Sequence, residues 1–77
     1  MAAQRWIPEA PAPDGAWMRR FTEHLLAKRP ELPLFSARHM APQAFEAMHL
    51  LSPAEAAELW DQRMLATNPA WRRLAGR

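Results

Sequence analysis

Apolar residues recur along this chain at helical spacing, and no stretch alternates with the period of two that marks a strand. Between Asp14 and Lys28, steps of about 100° per residue gather Trp17, Met18, Phe21, His24 and Leu25 on one side. Arg19, Arg20 and Glu23 fall on the other. This predicts an amphipathic helix N-capped by Asp14 and ended by Pro30, with Lys28 and Arg29 complementing the dipole of its last turn. Leu26 lies off the apolar stripe and is expected to meet a second surface.

The next stretch, RPELPLFSARHMAPQ, reads as a connector. Pro30 and Pro33 interrupt regular helix, and the apolar Leu32, Leu34 and Phe35 are expected to lie across the core. A single helical turn fits Ser36 to Met40. A second helix is expected from Pro42, a favoured first helical position, with Phe45, Met48 and His49 on one face. The sequence SPAE then gives the sharpest boundary. Ser52 stands at the N-cap, Pro53 at the first helical position and Glu55 at the third, the pattern of a capping box. The helix that follows runs to about Ala66, with Ala56, Ala57, Leu59, Trp60 and Met64 inward and Glu55, Glu58 and Asp61 on a solvated outer face. Asn68 caps a short fourth helix, PAWRRLA, ended by Gly76. Trp71 and Leu74 share the face that pins it to the third.

The predicted fold is therefore all-α: a bundle of three to four short helices in one domain over residues 14–77. Ahead of it, residues 1–13 form an extended proline-rich N-terminal arm. Pro8, Pro11 and Pro13 disfavour both helix and sheet in that arm, yet it carries Trp6 and Ile7. Two large apolar side chains without regular structure must find contacts elsewhere, either on their own domain or on a partner. The arm's reach favours a partner or a second copy of the chain.

Length and composition restrict what such a bundle can do. A chain of 77 residues buries a limited core, and with no cysteine it has neither disulfides nor thiolate metal ligands to support it. No apolar run has the length of a signal sequence or a membrane span, so the expected protein is soluble and cytoplasmic. The net charge of +2 is too small to imply a nucleic-acid partner. Its distribution says more. Glu46, Glu55, Glu58 and Asp61 occupy a middle segment free of Lys and Arg. Arg19, Arg20, Lys28, Arg29 and Arg38 precede it, and Arg63, Arg72, Arg73 and Arg77 follow. Segregation of this kind either ties helices together or leaves a basic face.

Chemistry is sparse. His24, His39 and His49 have no spacing that would place two of them on one metal, and His24 and His49, each beside an apolar stripe, are expected to be half-buried helix-face residues. Glu55, Glu58 and Asp61 share one helical face, but their types and positions suit dipole stabilisation and solvation. Ser36 and Ser52 are the only serines, tyrosine is absent, and two glycines make no phosphate loop. No catalytic, cofactor-binding or metal site is predicted, and no enzyme activity.

Arg72 and Arg73 are adjacent and diverge by about 100° on a two-turn helix, which makes a poor reader of base edges. The acidic third helix would repel phosphate. Binding of a protein is left as the first expectation, as an accessory subunit, adaptor or inhibitor. A small nucleic-acid-binding regulator ranks second and a self-associating protein, such as a homodimer, third. No membrane role is expected. Four tryptophans and nine arginines among ten basic residues fit an interface, since both types are enriched at hot spots. They fit equally a small core and a bacterial-type, arginine-rich composition. The candidate partner-binding residues are Trp6, Ile7, Leu26, Arg72 and Arg73.

The run LWDQRM, Leu59 to Met64, resembles the aromatic-Trp-x-x-Arg-Met run of the small delta subunits of soluble NAD-dependent formate dehydrogenases. The likeness covers six residues, has Gln62 in place of their proline, and does not extend to their opening helix. It implies a cofactor-free accessory subunit.

Overall fold

The computed structural model describes residues 13–76, and side chains from Gly15 onward. It contains four helices: α1 (Pro13–Lys28), α2 (Leu34–Met48), α3 (Pro53–Thr67) and α4 (Pro69–Ala75). There is no strand among the described residues. The all-α bundle expected from the apolar spacing is what forms. The arm expected at residues 1–13, with Trp6 and Ile7, lies outside the described residues except for Pro13, which opens α1. Asp14 is thus inside the helix and is not its cap.

α1 is the central element. Its Phe21 and Leu25 are completely buried, and α2 and α3 pack on either side of it while scarcely meeting each other. α4 packs on α3. Aromatic rings interlock across these contacts. Trp17 stacks on Phe21 with centroids 5.5 Å apart, and Phe45 of α2 and Trp60 of α3 each present an edge to this pair. The Trp17 indole N–H donates to the Leu51 carbonyl at 3.0 Å, which fastens the start of α1 to the turn between α2 and α3.

The largest departure from the sequence expectation is α2. It begins at Leu34, eight residues before Pro42, and carries Pro42 in its interior. Pro33, extended at φ −63°, ψ 143°, takes the capping position, and its carbonyl accepts from the Ser36 and Ala37 N–H groups. An interior proline removes one helical hydrogen bond and costs about 3 kcal/mol in a free helix. Burial of Ala37, Ala41 and Ala44 against α1 compensates for it. These alanines recur at helical spacing and, being small, let the two helices approach closely. The same shift turns Leu34 and Phe35 out of the core, 53% and 73% exposed, and only Leu32 of the connector is buried.

Boundaries set by local chemistry agree with expectation. The Glu55 N–H donates to Ser52 Oγ at 3.1 Å and the Ser52 N–H to Glu55 Oε1 at 3.2 Å, completing the capping box. Asn68 Oδ1 accepts from the Ala70 and Trp71 N–H groups. Gly76 ends α4 with φ −79°, an ordinary right-handed conformation that does not require glycine.

Candidate functional site

The side chains with most capacity for chemistry meet where the end of α1 crosses α3 and α4. Asp61 is only 3% exposed, contrary to the solvated position expected for it. The Arg29 guanidinium donates to it through two nitrogens, Nε to Oδ1 at 2.8 Å and Nη2 to Oδ2 at 2.9 Å. The Trp71 indole N–H adds a third bond to Oδ1, also 2.8 Å. The placement follows from spacing. Asp61 lies on the same stripe as Ala57, Trp60 and Met64, so a helix that buries those residues buries the aspartate as well. A carboxylate in that position is tolerable only when its lone pairs are filled and its charge opposed. Here every partner is a donor aimed inward, so the group is a clamp joining three elements, with no face left for a reactant. One turn away, Lys28 and Glu58 pair at 2.7 Å between the same two helices, both partly exposed. The acidic middle and the basic first flank therefore meet as ties between α1 and α3.

The run Leu59 to Met64 is accounted for by this packing. Trp60 and Asp61 are buried, Arg63 lies 5.9 Å over the Trp60 ring, and Met64 packs against the core. Leu59, expected inward, is 45% exposed. The Trp60 indole N–H is buried with no acceptor among the described residues.

The other side of α1 is different. Between α1 and α2 runs an open groove of about 630 Å³. Its floor is formed by Met18, Thr22 and Leu26 of α1 and by Leu34, Ala41 and Pro42 of α2, with Gly15 at one end. The Thr22 hydroxyl is turned into its own helix, donating to the Met18 carbonyl at 2.9 Å, so the floor offers mainly carbon. Arg19, Glu23 and Arg38 stand on the rim, all exposed, and neither arginine forms an ion pair among the described residues. Phe35, next to Leu34 in the chain, is exposed and does not line the groove.

The predicted site residues divide between these regions. Leu26, placed off the apolar stripe, does meet a second surface, since it is half-buried on the groove floor. Arg72 folds back from α4 and donates to the carbonyls of Leu65 and Ala66 at the end of α3, 2.9 and 3.4 Å away. It thereby satisfies acceptors that the helix end leaves free. Arg73 is exposed. Trp6 and Ile7 are outside the described residues. Leu34 and Phe35 were not expected here, because prolines on both sides disguised their helix. His24 and His49 are exposed, not half-buried: His24 falls at the edge of α1's stripe, and His49 sits at the end of α2 against Phe45; His39 is exposed as well. No three His, Asp, Glu or Cys residues gather into a metal-binding group among the described residues. Likewise, no described helix is long and apolar enough to cross a membrane. In comparisons with known proteins, no family model, no curated protein and no solved structure matches the chain.

Proposed function

We propose that this chain is a small non-catalytic helical module that binds a protein partner through the groove between α1 and α2. The observation that carries the reading is the open, carbon-floored groove between α1 and α2. Leu26, Met18, Ala41 and Pro42 floor a groove that Leu34 lines at its far end, and Leu34 and its chain neighbour Phe35 are both more than half exposed. Exposed apolar surface gathered at a groove, as opposed to scattered singly, is where soluble proteins meet others. The geometry suits a short segment, helical or extended, that buries apolar side chains between two helices. The rim selects its charge, because Arg19 and Arg38 favour a segment bearing carboxylates beside its apolar anchors. An accessory subunit or adaptor fits this description.

Nucleic acid fits less well. Arg72 is committed to the end of α3, and Arg73 remains alone on a helix of seven residues.

The test is cross-linked capture from native lysate by the intact chain and by Leu34→Glu and Phe35→Ser, with helical content checked by circular dichroism. Proteins held by the wild type and lost by both folded variants support the groove. Capture that is indifferent to both substitutions refutes it.

A further inference from the structure

We infer that the outward face of α2 is a self-association surface: two copies of this chain pair through their α2 helices, antiparallel, with a two-fold axis at Pro42. The face shares only Arg38 and Pro42 with the lining of the α1–α2 groove, so the inference stands apart from the partner reading.

The face follows from helical spacing. Steps of about 100° per residue place Phe35, His39, Pro42, Glu46 and His49 in a strip about 80° wide, and all five are exposed. They are spaced by four, three, four and three residues, the repeat at which two helices share a seam. The strip lies roughly 150° around α2 from Ala37, Ala41 and Ala44, which face the core. α2 scarcely meets α3, so no described element covers the strip. Phe35 is 73% exposed and Leu50, just past the helix, 91%. Neither lines the groove, so a ligand held there does not account for them.

Charge selects the occupant and its direction. α2 has one guanidinium, Arg38, and one carboxylate, Glu46. Arg38 flanks the strip four residues before Pro42, and Glu46 lies on it four residues after. Their separation exceeds the i, i+3 and i, i+4 spacings at which side chains of one helix meet. Neither forms an ion pair among the described residues. A two-fold axis at Pro42 sets Arg38, with His39 beside it, opposite Glu46 of the second copy, and does so twice. A parallel pair would set Arg38 against Arg38 and Glu46 against Glu46, which like-charge repulsion disfavours.

The ends match as well. Phe35 stands seven residues before Pro42 and His49 seven after. The His49 ring already lies against Phe45 of its own chain, with centroids 5.0 Å apart. Antiparallel pairing brings Phe35 onto this aromatic end, with Leu50 next to it, and removes from water the most exposed ring of the described residues. Pro42 at the centre carries no long or charged side chain, so the helices can approach there. One helix per copy makes a small interface, of the weak class below about 1,200 Å².

Sedimentation velocity of the full chain, from micromolar to millimolar concentration, should show a reversible monomer–dimer equilibrium. Arg38→Glu and Glu46→Arg should each weaken it at least about tenfold, since each places two like-charge pairs in the interface. Both positions are exposed, and circular dichroism should find the helical content of both variants unchanged. An equimolar mixture of the two variants should recover the dimer, because every facing pair is again opposite in sign. The double variant should recover it alone. A chain that stays monomeric at millimolar concentration would overturn the inference. So would a dimer that both single variants leave intact, since association would then lie elsewhere on the chain. A dimer weakened by both substitutions, yet recovered by neither the mixture nor the double variant, would sink the antiparallel pairing and the inference with it.

Discussion

α1 is held on its two sides by different physics. Toward α3 and α4 it is tied by a buried carboxylate with three donors, by a second ion pair and by well-capped helix ends. Toward α2 it rests on three small alanines and aromatic edges, and the surface beyond them stays open, apolar and rimmed with arginines that form no ion pair among the described residues. The first side uses its polar groups up; the second leaves carbon and charge available. A domain with little core to spare can support such an open face only because the opposite face is fastened. The difference separates residues that keep the fold from residues that the fold leaves exposed.

The sharpest way to break the fastened side is Asp61→Ala. Removing one partner of a buried ion pair strands the other charge, at a cost of about 3–5 kcal/mol. Domains of this size have roughly 4–12 kcal/mol in total, so urea denaturation should find the variant largely destabilised. Glu58→Ala, on the same helix but solvent-exposed, should change stability by less than about 1 kcal/mol. Equal effects would mean that the clamp is not what fastens α1.

A smaller effect distinguishes two buried tryptophans. Trp71→Phe and Trp60→Phe remove similar volume, but only the first removes a hydrogen bond, to the Asp61 carboxylate. Trp71→Phe should therefore be the more damaging by about 1.5–3 kcal/mol, the range for bonds to charged groups. Parallel melting curves showing no difference would assign both residues to packing alone.

Next comes Ser52→Ala, expected to cost about 1 kcal/mol through loss of the capping box. In a domain this small that is a fall of several degrees in Tm, and an unchanged melting curve would contradict the cap's role. The smallest effect on stability belongs to the open side. Phe35→Ser should stay within about 0.5 kcal/mol of wild type while changing what the protein captures. A large loss of stability would place Phe35 in the core and sharpen the contrast in the opposite direction.

Local chemistry made much of this legible in advance. Ser52 with Glu55, and Asn68 with Pro69, each complete their hydrogen bonds within a few residues. Their helix starts therefore follow from sequence alone, as does the stripe of Trp17, Phe21 and Leu25 that makes α1 the centre. α2 was not legible by the same means. Pro30, Pro33 and Pro42 argue locally against helix, and the alanine row that outweighs Pro42 gains its value only against α1. The fate of Asp61 was half visible: its position on the apolar stripe is written in the chain, but burying it depends on Arg29, 32 residues away, and on Trp71 arriving from another helix. The groove was invisible until α2 was placed, since it is the space two packed helices leave between them. What the sequence by itself determined was the set of helix ends and apolar faces governed by neighbours in the chain. Only the tertiary structure decided which proline a helix could absorb, which charge could be buried and which apolar residues stayed outside, because each depends on an energy supplied by a distant partner.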